Sequence, residues 1–103
     1  MHLRSDCSLD EILMLLDTQN VCAVLFVDHQ PMCKHYSQQS WVQDAGQVVE
    51  VDQEIVDHFQ IGKVPQWRFY LKANEVHHAV GTIPKEQFEE ERKKIFGNLT
   101  NFK

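Results

Sequence analysis

No apolar run in these 103 residues approaches the ~20 that a membrane-crossing helix needs. Basic charge is in short supply: ten Lys and Arg face fifteen Asp and Glu, a formal net charge of −5. That balance argues against nucleic acid or an anionic membrane as the main partner. Cysteine is scarce as well, with three residues at 7, 22 and 33. The odd count gives no disulfide framework, and the spacings match no zinc signature. The opening Met-His-Leu-Arg-Ser-Asp lacks the basic-then-apolar layout of a secretion signal, so the expectation is a cytoplasmic protein. In that setting the glycosylation acceptor Asn98-Leu-Thr100 carries no meaning. There is no internal repeat, low-complexity tract or linker. What is present is 43% apolar and 10% aromatic, the make-up of one globular domain over residues 1–103.

Ser8-Leu-Asp-Glu11 reads as a capping box, and Leu9, Ile12, Leu13 and Leu16 repeat on one face of a helix to about Thr18. The seven unbroken apolar residues Val21–Val27 then predict a strand buried on both sides, central in a parallel or mixed sheet. A short strand around His2–Arg4 is expected before them. From Cys33 to about Asp44 we expect a second helix, closed by Ala45-Gly46 although its apolar positions are few. Gln47–Asp52 is a second strand, and Ile55, Val56 and Phe59 mark a short helix with Gly62 past its end. Trp67–Lys72 alternates as a half-buried strand, with Trp67, Phe69 and Leu71 on one face. Ala73-Asn74 turns the chain into a return strand, Val76–Val80. Pro84 opens a final helix to about Phe96, whose early glutamates and later Arg92, Lys93 and Lys94 complement its dipole.

In this order the segments resemble the thioredoxin family over nearly the whole chain. Pro31-Met32-Cys33-Lys34-His35-Tyr36 aligns without gaps on the Pro-Trp-Cys-Gly-His-Cys stretch of protein disulfide isomerase-like members. Ile61-Gly-Lys-Val-Pro65 is similar to the family's loop ending in a cis-proline. Trp67–Glu75 resembles the hairpin, and Gly81-Thr-Ile-Pro-Lys-Glu-Gln-Phe88 the entry to the last helix. The resemblance implies an α/β, thioredoxin-like sandwich: a central mixed sheet of 4–5 strands flanked by helices on both faces. The departures are specific. Tyr36 stands where the second cysteine of the redox pair would be. A second register places Cys33 on that second cysteine, Lys34 on the lysine after it, and Gln30 on the first cysteine. Either way one thiol remains, and Val24 or Val27 replaces the family's buried acid.

Disulfide exchange by this fold needs one thiol to attack and another to resolve, so dithiol reductase activity is not expected. As the first cysteine, Cys33 would be exposed at a helix N-terminus, its thiol made acidic there and aided by His35 and Lys34. As the second, it would be buried behind Gln30 and inert. A groove between Cys33–Tyr36 and Val64-Pro65 needs no thiol, because in the family the backbone before the proline pairs with an extended peptide. Met32, Tyr36, Val64 and Pro65 are its candidate peptide-binding residues, with Trp67 read as core. We therefore favour a protein- or peptide-binding adaptor over the alternative, a monothiol redox protein with Cys33 and His35 as the catalytic pair. No cofactor is expected, and no metal. His77 and His78 point to opposite faces of a strand, and positions 33 and 35 diverge by about 200° on a helix.

Overall fold

Helix α1 (Leu9–Thr18) begins where the capping box places it. The Ser8 hydroxyl accepts from the Glu11 N–H, and the Glu11 carboxylate accepts from the Ser8 N–H at 2.9 Å. This computed structural model describes residues 8–97. The expected strand at His2–Arg4, Cys7, Leu99 and the Asn98–Thr100 acceptor lie outside them. Strand β1 (Val21–Val27) follows, then α2 (Pro31–Ser37), α3 (Ser40–Ala45), β2 (Gln47–Glu50), α4 (Gln53–Phe59), β3 (Gln66–Leu71), β4 (Asn74–Val80) and α5 (Lys85–Arg92). Residues Lys93–Gly97 continue α5 as a π-helical turn.

The sheet order is β2-β1-β3-β4, with β1 parallel to β2 and antiparallel to β3, and β3 antiparallel to β4. Because side chains alternate along a strand, β1 feeds two cores. Ala23, Leu25 and Val27 join Cys33, Tyr36, Val42, Trp67 and Phe88 on one face, under α2, α3 and α5. Val24 and Phe26 join Ile12, Leu16, Val49 and Ile55 on the other, under α1 and α4. Each large apolar side chain fully withdrawn from water in this way is worth about 1.5–3 kcal/mol. Among the described residues the result is a mixed four-stranded sheet with helices on both faces.

Several boundaries differ from the sequence expectation, each for a local reason. The helix expected from Cys33 to Asp44 starts earlier, at Pro31, whose missing N–H costs nothing in a first turn. It then breaks at Gln38-Gln39 and restarts as α3, which lets Val42 reach the core fully buried. The α4 helix is capped by Gln60, in the left-handed conformation at φ 54°, with Gly62 lying past its end as expected. The hairpin turns on Lys72 and Ala73, both at positive φ, one residue before the expected position. Strand β3 is buried on both faces rather than half-buried. Arg68, on its second face, donates to the carbonyls of Phe59 at 2.6 Å and Gln60 at 3.3 Å. It also pairs with Glu75 at 3.1 Å. A guanidinium thus serves the open C-terminus of α4, and that lets it lie inside.

Gly46, between α3 and β2, is required by a close approach. A Cβ there would sit 2.2 Å from the backbone oxygen of Ala23.

Candidate functional site

The β1–α2 junction sets the position of the thiol. Asp28 turns the chain after β1, its carboxylate accepting from the Gln30 N–H at 3.0 Å. Gln30 is the N-cap of α2 and makes no side-chain capping bond, so Pro31 is the first helical residue and Cys33 the third. That places Cys33 inside the first turn, on the face toward the sheet, 1% exposed. Burial pushes its thiol above the ordinary value. The Asp28 backbone pulls the other way, and the Asp28 carboxylate adds further upward pushes as hydrogen-bond partner and as a charge. The exposed, acidic thiol that the first register required is therefore corrected. Cys33 has the burial expected of the second register, behind an exposed Gln30. His35 is exposed and turned away from the thiol, because two residues on a helix point in nearly opposite directions.

Tyr36 is buried, and its hydroxyl is fully used. It donates to the Ile83 carbonyl at 2.7 Å and accepts from Trp67 Nε1 at 2.9 Å. Burial raises the phenol's pKa, with a smaller opposing effect from the Trp67 N–H. Trp67 is completely buried, as the alternation suggested.

The Val64-Pro65 peptide bond is cis. Pro65 is fully buried, and its carbonyl accepts from the Gly81 N–H at 2.8 Å. Val64 packs half-buried against both cores. Its own N–H and C=O form no hydrogen bond to a described residue.

Beside these residues opens a cavity of about 420 Å³, within the ~300–1,000 Å³ typical of ligand pockets. Met32, His35 and Tyr36 of α2 form one wall, with Gln39 and Trp41 beyond them. The β4–α5 connection from Thr82 to Lys85 forms the other. Met32 is 56% exposed, an apolar side chain presented to solvent at the mouth. The structure thus brings Met32, His35 and Tyr36 together, and sets Cys33, Val64 and Pro65 outside the lining. Trp41 and the 82–85 segment were missed from sequence. The available signal was an aromatic in an otherwise polar run, at Ser40-Trp41-Val42. The Trp41 ring meets Tyr36 edge-on at 5.9 Å and Phe88 at 5.7 Å, and its N–H is held by Gln39 Oε1 at 2.9 Å.

Among the described residues, no three His, Cys, Asp or Glu side chains gather in a metal-binding arrangement. No helix there is long and apolar enough to cross a membrane.

No family model matches the sequence, and no curated protein matches it significantly. Solved structures do. A point mutant of the Halobacterium salinarum thioredoxin superposes with a TM-score of 0.68 at 13% identity, covering 86% of each chain. A Plasmodium falciparum thioredoxin gives 0.67 at 15% identity over 92% of this chain and 99% of its own. Thioredoxin f2 of Chlamydomonas reinhardtii gives 0.66 at 17% over 86% and 93%. Sheet order, helix placement and these likenesses together give the chain the thioredoxin fold.

Proposed function

We propose that the chain is a binding module that holds a peptide segment of another protein in the cleft between α2 and the β4–α5 connection, without thiol chemistry. The observation that carries this reading is the burial of Cys33. A thiol that is 1% exposed and pushed upward in pKa is a poor nucleophile, whereas the cleft beside it stays open. Met32 at the mouth and Tyr36 in the wall supply apolar contact. The Val64 backbone, which forms no hydrogen bond to a described residue, offers a donor and an acceptor to an extended segment. A monothiol redox role would need the sulfur at the surface.

The test is capture of partners on immobilised protein, with and without reductant, by wild type, Cys33→Ala and Met32→Glu. Binding through the cleft predicts that Cys33→Ala keeps the partners in both conditions and Met32→Glu loses them. Partners lost from Cys33→Ala only when reductant is absent would mark a covalent link and overturn the reading. Iodoacetamide gives an independent check. Cys33 should resist alkylation at neutral pH in the native protein and react once the chain is unfolded.

A further inference from the structure

The cleft is charge-selected in a way the rest of the chain is not. Asp and Glu outnumber Lys and Arg fifteen to ten, yet among the described residues no carboxylate lines the cavity, and the ionisable groups that do, other than Tyr36, are His35 and Lys85. Lys85 is the first residue of α5, where a cation opposes the helix dipole. The remainder of that helix follows the opposite rule, with Glu86 in the first turn and Arg92 in the last. Among the described residues Lys85 enters no ion pair. A residue that breaks a local rule without an internal partner is expected where a site needs it. The adjoining cavity of about 330 Å³, which shares Trp41 and Lys85, is different in kind. Its lining mixes Lys85 and Arg92 with the carboxylates of Asp44 and Glu89, and Arg92 holds Glu89 at 2.9 Å.

From this we infer that the cleft's occupant is an acidic segment with an apolar anchor: one apolar side chain seated against Met32 and Tyr36, and a flanking carboxylate on Lys85. The inference rests on the binding reading above and adds the chemistry of the partner. Electrostatic complementarity of this kind sets which segment is accepted more than how tightly any segment is held.

Amide NMR titration of the whole chain tests it, with three short capped peptides that share a central leucine and carry flanking glutamates, serines or lysines. The glutamate peptide should bind roughly five- to tenfold more tightly than the lysine peptide at low salt, as a few exposed charge contacts allow. Its shifts should fall on residues 32–36 and 82–85, and the preference should shrink at high salt. Lys85→Glu should erase or invert the preference. That variant puts an acid where the helix dipole favours one, so it should fold. Groove shifts of equal strength for all three peptides, or a preference unchanged in Lys85→Glu, would overturn the inference and leave the binding reading standing. Absence of groove shifts from every peptide would remove both.

Discussion

The Tyr36 hydroxyl holds Trp67 from across the core, accepting its indole N–H at 2.9 Å while donating to the Ile83 carbonyl at 2.7 Å. One oxygen thereby ties β3 to α2 and to the β4–α5 connection, the two elements that wall the cleft. Tyr36→Phe should strand a buried indole N–H and a carbonyl together. We expect a loss of about 2–3 kcal/mol in denaturant unfolding, since each orphaned group costs roughly 1–3 kcal/mol. Unchanged stability would mean that these bonds are replaced by others.

The same substitution at Tyr70 should act with the opposite sign. Its hydroxyl is buried and has no hydrogen-bond partner among the described residues. Burial is the main cause that pushes this phenol up to about 12; the nearby Arg68 opposes the push without being hydrogen-bonded to the oxygen. Tyr70→Phe removes an unmet polar group and keeps the ring against Phe59. Stability should hold or rise by up to about 1 kcal/mol. A loss of the size expected at Tyr36 would reveal a partner for the hydroxyl.

Gly46→Ala tests how closely β1 approaches the chain ahead of β2. The added carbon would stand 2.2 Å from the Ala23 backbone oxygen, so strand backbone must move, not a pliable side chain. We expect about 2–3 kcal/mol of destabilisation, typical of overpacking that cannot relax. A variant with wild-type unfolding midpoint would show that β2 can shift freely.

What the sequence made legible was local. Ser8 and Glu11 carry their own cap, and seven apolar residues at Val21–Val27 allow little but a buried strand, so α1 and β1 fall where expected. The break between α2 and α3 depends on where Trp41 and Val42 must land in the core, which Gln38-Gln39 does not announce. Arg68 reads as the polar member of a half-buried strand. Its burial rests on the Phe59 and Gln60 carbonyls, delivered by a helix packed from elsewhere. The place of Cys33 turned on a single boundary. With Pro31 as the first helical residue the thiol faces the core, although the same letters permit a register in which it faces water.

High pH should weaken the fold through groups that it keeps protonated. Burial lifts the Cys22 thiol from 9.0 to about 11, and the Tyr70 phenol from 10.0 to about 12. Cys33 and Tyr36 move in the same direction. A group whose folded pKa lies above its unfolded one stabilises fully below the unfolded value and loses that contribution as pH climbs through the folded one. Under reducing conditions the urea midpoint should therefore stay level from neutral pH to about 9, apart from other titrations, then fall through 11. The share from Cys22 should be about 1–2 kcal/mol, below the full linkage value because the side chain is only part-buried. Cys22→Ala lowers the starting stability but should fall less steeply between 9 and 11. An equal slope in that variant would assign the alkaline loss to the tyrosines and Cys33 instead.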